Sequence, residues 1–594
     1  MQLSRVQIIN FRNFATLDVA LDANVVMVGE NRVGKSNFIF ALRLVLDTAL
    51  PDAARQLKLI DIWDGCDLAT APEVQIHLDL TDFADDPKLI ALLTDYRLAS
   101  DYTIARLSYV FRKKPGVTGP PSSEADYEFK VYGGGDETRA IRHEVRWRIC
   151  LDVLHALRDA KGEVGAWRSS PLRPLLEDAI AKVSKDDLHS IAADMHAATT
   201  KLGELAPIKT LEANLRTQIA ELAGTSQDIK AMLGFAPTDP LRLFRSIGLL
   251  IDDGKRGIGD ASLGSANLVL LTLKLAEFAW RRIKNERNYT LVCIEEPEAH
   301  LHPHLQRKVF QKLFASDPNE PLSLFLTTHS PNIASVAPLR SIVVLKATPS
   351  NGTHAFSLAR LNLSESEIED LQRYLDTTRA DILFSRGILF VEGDAETALL
   401  PVFAKNCGYD LDELGITVCN VGGVNFSPYV KLATALALPF AVITDWDPLD
   451  GTKPPLGCMR ALDLIDDIRQ TKGKKPLRAV RRTTLQVDEE CLRTVAKKAG
   501  VFLNHSTLEV EIACTTALVE PLLSILEAEH FGATRRKRLA RWKADPSTVS
   551  GEQLLAMVAD VGKGRLAARL AAQAIGLSAP IYIAEAIQHV ATNV

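Results

Sequence analysis

The chain has 594 residues, 47% of them hydrophobic and 24% charged, and a formal net charge of −5. That length predicts roughly three to four domains with substantial cores. The charge excludes a global attraction to polyanions, so any nucleic-acid contact must come from local basic patches.

Eight cysteines without a CxxC pair argue against a disulfide framework and against structural zinc. Met1-Gln2-Leu3-Ser4-Arg5-Val6 alternates apolar and polar residues rather than forming a signal segment. No apolar run approaches the ~20 residues that cross a bilayer. The expected location is the cytoplasm, with no membrane partner.

Val6, Ile8 and Phe11 begin the first strand pattern, which Phe11-Arg12-Asn13-Phe14 closes. The apolar run Asn24–Val28 leads into Gly29-Glu30-Asn31-Arg32-Val33-Gly34-Lys35-Ser36, and a helical pattern from Asn37 to Leu46 follows. Strand, glycine loop and helix are the context of a phosphate-binding loop. Glycines turn backbone N–H groups toward phosphate oxygens, and the helix start adds partial positive charge. The nucleotide contacts expected here are Gly29, Asn31, Gly34, Lys35, Ser36 and Asn37. Lys35 reaches the β- and γ-phosphates, and the Ser36 hydroxyl holds Mg²⁺.

Residues 72–83 and 102–112 alternate in period two and predict strands. Residues 113–137 are rich in Gly and Pro and predict loops around a short strand, Tyr127 to Tyr132. From 152 to 232 the pattern is helical. Leu188, Ile191 and Met195 form one stripe, and Leu211, Leu215, Ile219 and Leu222 form another, with Pro207 expected to break the helices. Two such helices predict an antiparallel arm whose stripes either self-associate or pack within the arm.

Arg256 to Asn267 forms a Gly/Ser turn before the helical pattern Leu268–Trp280, again an anion-binding shape. Leu291–Ile294 reads as a buried strand ending in Glu295-Glu296. Two acids there are costly without a metal or a reaction to serve. Glu295 is expected in the Mg²⁺ shell, and Glu296 is expected to polarise the attacking water. The strand Leu322–Thr328 ends at His329, expected to sense the γ-phosphate. A helical linker, Glu365 to Phe384, follows.

A second pattern begins at Gly387: the strand to Val391, then Glu392-Gly393, then a helix with Asp394 as its expected N-cap and Glu396 in its first turn. A later strand, Phe440–Thr444, ends in Asp445-Trp446-Asp447. Residues i and i+2 of an extended chain share a face, so both carboxylates can reach one ion. Hard oxygen ligands suit Mg²⁺ or Mn²⁺. Two basic runs, 472–482 and 535–543, are candidate DNA-backbone contacts.

Gly29–Ser36, the Gly264-Ser265 turn, Leu291–Glu296 and His329 resemble the Walker A, signature, Walker B and switch-histidine motifs of ATP-binding-cassette heads. Such heads occur in structural-maintenance-of-chromosomes and Rad50-type proteins. The resemblance implies that Arg12 approaches bound ATP and that Gly264, Ser265 and Asn267 act in trans in a homodimer or higher oligomer. Gln75 is a candidate metal contact. The signature turn and the first Walker B acid depart from the usual Leu-Ser-Gly-Gly-Gln and Asp.

Glu392-Gly393, Gly422-Gly423-Val424-Asn425 and Asp445-x-Asp447 resemble a Toprim unit. An SMC-like ATPase fused to Toprim resembles the OLD (overcoming lysogenization defect) nuclease family, which includes phage-defence members. The fold this implies is α/β. An ABC-type P-loop ATPase head (1–151 and 236–385) carries an inserted helical dimerisation arm (152–235), and a Toprim α/β domain with helical additions (386–594) follows.

By the same resemblance, Glu392, Glu396, Asp445, Asp447 and Glu509 bind two divalent ions, and Lys563 stabilises the transition state. The implied function is a metal-dependent DNA endonuclease that binds ATP with one further Mg²⁺, and a helicase-like partner is known in some relatives. The competing readings are an SMC-like DNA-binding ATPase without nuclease activity and a Toprim topoisomerase or primase.

Overall fold

The computed structural model describes residues 1–155, 160–165, 170–223, 233, 247–315, 322–348, 352–361, 363–376, 378–449 and 454–594. The end of the expected arm, 224–232, therefore lies outside the described residues. Residue contacts divide the chain into two units, Met1–Leu154 with Leu291–Val594, and His155–Thr290.

The larger unit opens with β1 (Gln2–Phe11), β2 (Phe14–Ala20), β3 (Val25–Gly29) and α1 (Lys35–Leu46). β4 (Val74–Thr81), β5 (Asp101–Lys113), β6 (Tyr127–Gly133), β7 (Asp136–Ala140) and β8 (Ile149–Leu154) follow. All five β3 residues are buried, as expected of a central strand covered on both faces.

The second unit contains α2 (Lys185–Gly203), α3 (Ala206–Ala223) and α4 (Leu263–Ile283). Pro207 sits in the first turn of α3 rather than between helices. Its missing N–H has no intrahelical partner to lose there. No residue of α2 is buried, and Leu211 of α3 is half exposed, so the arm stripes are not sealed within the unit.

From the end of that unit run β9 (Tyr289–Glu295), α5 (Pro303–Phe314), β10 (Leu322–Thr328), β11 (Ile342–Thr348) and β12 (Gly352–Ser357). One 13-stranded sheet results, in the order β7-β6-β5-β4-β1-β2-β12-β11-β3-β10-β9-β8, with Arg97–Leu98 paired to β5. β3 pairs in parallel with both β10 and β11. The glycine loop therefore stands beside the end of the strand that leads to His329. The expected linker forms a helix only over Glu365–Tyr374, and a 3-10 turn over Arg379–Leu383 follows.

The C-terminal part holds β13 (Gly387–Val391), α6 (Asp394–Asn406), β14 (Ile416–Asn420), β15 (Phe440–Thr444), α7 (Leu456–Thr471), β16 (Val501–Leu503), α8 (Leu508–Cys514), α9 (Ala533–Ala544), α10 (Lys563–Gln573) and α11 (Ile581–Ala591). The four strands form a parallel sheet in the order β14-β13-β15-β16. β13 and β15 are buried throughout. A core that includes Leu399, Phe403, Leu522, Trp542, Leu570 and Ile587 joins this sheet to the C-terminal helices. Parallel strands place their C-terminal ends together, and Glu392 and Asp445 directly follow two such ends.

Candidate active sites

The glycine loop is shaped by its neighbours. Gly29 has φ 156°, and a Cβ there would lie 2.7 Å from the Leu345 carbonyl oxygen. Gly34, at φ 106°, precedes α1, and a Cβ there would lie 2.0 Å from Asn13 Nδ2. Both positions exclude a side chain.

Lys35 is 7% exposed. Its Nζ donates to the carbonyls of Gly29 (2.8 Å) and Glu30 (2.9 Å). Burial pulls its pKa down to about 8, against the opposing influence of Glu296, Glu298 and Glu30. Asn31 and Ser36 are exposed on the loop and at the helix start.

Asn37, expected among the nucleotide contacts, spends its amide inside the protein. It donates to Asn13 Oδ1 (2.7 Å) and accepts from Arg12 (2.8 Å). Asn13 also donates to the Val33 carbonyl at 2.6 Å, which braces the loop from behind. Arg12 holds a left-handed backbone, φ 49°, and donates to Asp61 at 2.9 Å. Its guanidinium lies 4.6 Å from the Phe40 ring centroid. Gln75, in β4, donates to Glu73 at 3.1 Å. Asn13 stands in the Phe11-Arg12-Asn13-Phe14 stretch but was given no role there, and Asp61 belongs to no recognisable spacing.

Glu295 ends β9, and Glu296 turns to φ 44°, an uncommon conformation for a residue with a side chain. The Glu296 N–H donates to the Thr327 carbonyl at 2.9 Å, and the carboxylate stands 3.8 Å from His329 Nε2. Glu298, which the sequence reading missed, accepts from the His329 N–H (2.7 Å) and the Thr328 hydroxyl (2.8 Å). Burial and then Lys35 push the His329 pKa below its ordinary value, while Glu296 and Glu298 oppose the shift. A neutral ring there can both donate and accept. Lys35, Glu296 and His329 therefore share one electrostatic neighbourhood.

The signature turn belongs to the second unit. Ser262 caps α4, accepting from the Ser265 N–H at 3.2 Å and donating to Ser265 Oγ at 2.9 Å. Gly264, Ser265 and Asn267 lie in the first turn and none is buried.

The second acidic group gathers at the ends of β13 and β15. Glu392 Oε1 accepts from the Thr444 hydroxyl (2.5 Å), the Asp445 N–H (3.0 Å) and Arg460 (3.1 Å). Arg460 also donates to Asp447 Oδ2 at 3.0 Å. Asp447 itself sits at φ 46°. Asn504, after β16, donates to Asp445 Oδ1 at 2.5 Å, and Lys563 Nζ lies 3.0 Å from Glu509 Oε1.

Glu396 and Glu509 are 8% and 4% exposed. The Asp445 pKa rises to about 8 through burial and then through Glu392, with Glu396 and Asp447 adding to it against the Asn504 hydrogen bond. Glu396 rises to about 7, chiefly by burial, with Glu392 and Glu509 as the charges that raise it. These mutual shifts bring all five predicted acids into one cluster, with Lys563 beside it. Asp394 is not the cap of α6. Gly393 holds that position, and the Asp394 carboxylate instead accepts from Asn420 at 2.8 Å.

The cluster fits a hard divalent cation by its donor set: carboxylates in excess of cations, and a Glu509 oxygen that is buried without a hydrogen-bond partner. Yet among the described residues no three acidic, histidine or cysteine groups stand ready at metal-shell spacing. Arg460 pairs instead with Glu392 and Asp447, and Lys563 with Glu509. Sequence reading missed Arg460, Asn504 and Thr444, which carry no motif of their own.

Residues 383–447 match the family model described as "Overcoming lysogenization defect protein-like, TOPRIM domain". Residues 166–334 match an AAA ATPase domain, and 1–100 match a family of unknown function. Endonuclease GajA of Bacillus cereus strain VD045 is 22% identical over 89% of this chain and 92% of its own length. The OLD nuclease of Thermus scotoductus is 23% identical over 75% of this chain and 83% of its own. The chain belongs to the OLD family.

Among solved structures, the C-terminal region of the Burkholderia pseudomallei OLD protein is 37% identical, covering 35% of this chain and 98% of that one with a TM-score of 0.32. In this OLD-family chain the Toprim match contains Glu392, Glu396, Asp445 and Asp447, whereas Glu509 and Lys563 lie beyond it.

Polar contacts join the ATPase head to the Toprim part, Glu367 with Lys431 among them. Arg386, one residue before β13, lies 3.4 Å from the Glu30 carboxylate, and Lys346 donates to the Leu436 carbonyl at 2.9 Å. Burial pulls the Lys346 pKa down to about 7. Lys472, Lys474 and Lys475 are exposed, as are Arg536, Lys537 and Arg541 of α9, while Arg535 pairs with Asp560 and Arg482 with Asp463 and Asp466. No described helix is long and apolar enough to cross a membrane.

Proposed function

We propose that this chain is an ATP-binding and ATP-hydrolysing, divalent-metal-dependent DNA endonuclease. The observation that carries the reading is the meeting of Glu392, Glu396, Asp445, Asp447 and Glu509 beside Lys563, in a chain that also holds a complete glycine loop. We assign the head to 1–151 and 236–385, the arm to 152–235 and the Toprim nuclease to 386–594.

Glu392, Asp445 and Asp447 would hold one ion, and Glu396 with Glu509 a second. Divalent ions held there would supply activation of water and neutralisation of charge on the phosphodiester. Asn504 fixes the Asp445 carboxylate, Thr444 fixes that of Glu392, and Lys563 is placed to meet the charge developing on a phosphate oxygen. At the head, Lys35 would exchange the Gly29 and Glu30 carbonyls for phosphate oxygens. Ser36 and Glu295 would hold the nucleotide's metal, Glu296 would orient water, and His329 would report the γ-phosphate. The exposed basic faces would contact the DNA backbone without reading sequence. Gly264, Ser265 and Asn267 would complete the ATP site of a second copy, which makes the working unit at least a homodimer. A helicase-like partner, anti-phage defence and a cytoplasmic location complete the proposal.

A topoisomerase needs an accessible tyrosine. Tyr582 lies beside Asp445 and Asn504, and burial holds its hydroxyl well above its ordinary pKa. That favours hydrolysis over a covalent tyrosyl link.

Supercoiled plasmid incubated with Mg²⁺ or Mn²⁺, with and without ATP, tests the reading. Nicked or linear product is expected, and Asp445→Ala should abolish it while ATP binding persists. Relaxed closed circles, or cutting by the variant, would overturn the assignment.

A further inference from the structure

Arg460 lies in the first two turns of α7, and its side chain is 12% exposed. One of its terminal nitrogens donates to Glu392 Oε1 (3.1 Å), to the Asp445 carbonyl (3.1 Å) and to the Thr444 hydroxyl. The other donates to Asp447 Oδ2 at 3.0 Å. A single guanidinium thus links two of the carboxylates that the endonuclease reading gives to metal, while both remain apart from any metal-ready trio among the described residues.

An ion bridging Glu392 and Asp447 would compete with the guanidinium for these two carboxylates and would stand within a few ångströms of a fixed positive charge. Arginine cannot resolve that conflict by losing a proton, because it stays charged at any working pH. Only competition can move it.

We propose that Arg460 is the resident counter-cation of the nuclease site. It holds Glu392 and Asp447 in register while no metal is bound, and it must release Asp447 before a divalent ion can join them. The inference rests on the metal-site reading above and deepens it. Arg460 touches neither substrate nor reacting atoms and is a positioning residue. Its consequence is a threshold: the site fills only when the divalent ion outcompetes the guanidinium. Lys563 is paired with a different acid, Glu509.

The test uses the full-length chain and Mn²⁺ alone, without nucleotide, with binding followed by calorimetry and by the rise in melting temperature. Arg460→Gln removes the charge and keeps similar bulk. Its half-saturating Mn²⁺ concentration should fall roughly tenfold, as expected when a nearby positive charge is lost, and it should melt earlier than wild type in EDTA. Arg460→Lys keeps the charge and should stay close to wild type. A merely structural arginine predicts the opposite sign, weaker Mn²⁺ binding once it is lost.

Hydrogen exchange of the wild-type chain makes the same test without a substitution. Mn²⁺ should protect the segments around Glu392 and Asp445 while exchange in the first turns of α7 speeds up. Unchanged or weakened Mn²⁺ binding by Arg460→Gln, an equal gain in Arg460→Lys, or uniform protection including α7 would each overturn the inference and leave the metal site standing. Absence of any Mn²⁺ binding that Asp445→Ala removes would instead overturn the metal site, and this inference with it.

Discussion

Lys563 Nζ stands 3.0 Å from one oxygen of Glu509, whose other oxygen is buried without a hydrogen-bond partner. The pair is asymmetric: the carboxylate is buried, while the lysine reaches it from a largely exposed position. Lys563→Ala should therefore strip a buried acid of the cation paired with it and, on the proposed mechanism, remove the donor that would face the scissile phosphate. Plasmid cleavage should fall by about 10²-fold or more. The melting temperature should also drop, with a cost of about 1–2 kcal/mol for the unpaired acid. Cleavage unchanged in the variant would take Lys563 out of the mechanism.

Glu298 ties the end of β10 together by accepting from the Thr328 hydroxyl and the His329 N–H. Glu298→Gln keeps the shape but turns one acceptor into a donor that faces another donor. Phosphate release from ATP should slow by roughly tenfold, because a displaced sensor loses its alignment. Nucleotide binding measured by a fluorescent analogue should persist. Wild-type hydrolysis in the variant would show that His329 is held elsewhere.

The acid cluster predicts a pH dependence. Asp445 and Glu396 are raised from 3.8 and 4.5 to about 8 and about 7. The folded, metal-free chain therefore keeps protons that the unfolded chain releases. The stability this contributes is complete below the unfolded values and is lost as pH climbs through about 7 and about 8. Melting temperature in EDTA should fall between pH 6 and pH 8.5. Mn²⁺ affinity should rise over the same interval, since metal must displace those protons. Asp445→Asn should flatten both profiles, and a flat wild-type profile would contradict the burial described here.

Lys35 predicts the reverse linkage on the nucleotide side. Its pKa near 8 in the free loop should climb when phosphates replace carbonyl partners. ATP binding near pH 8 should then take up protons, visible as a buffer-dependent heat in calorimetry, and affinity should decline as pH rises further. Lys35→Ala should abolish binding. Binding heats that are identical in buffers of different ionisation enthalpy would contradict this account.

Much of the molecule was legible because its chemistry is local. Gly29–Ser36 announces a phosphate loop through glycine spacing, and φ 106° at Gly34 supplies the physical reason. Asp445-x-Asp447 suggested an ion site through strand period, and the structure ends the strand at Thr444 and turns Asp447 to φ 46°. The supporting residues were not legible: Asn13, Glu298, Arg460 and Asn504 act through contacts made across tens or hundreds of positions, which no window of sequence contains. Asn37 shows the converse error. Its place beside Ser36 suggested a ligand, and folding committed its amide to Asn13 and Arg12. At Asp394 the local capping rule lost to a longer-range partner, Asn420.

Glu30 is held at both its backbone and its side chain. Its carbonyl accepts from Lys35 and its carboxylate faces Arg386, the residue that launches β13 toward Glu392. Five residues of strand, about 17 Å of rigid backbone, separate that joint from the first nuclease acid. A C-terminal fragment severed from the head keeps every cluster carboxylate but loses the foot of this strut, so it can report how the scissors are built and not how they are worked.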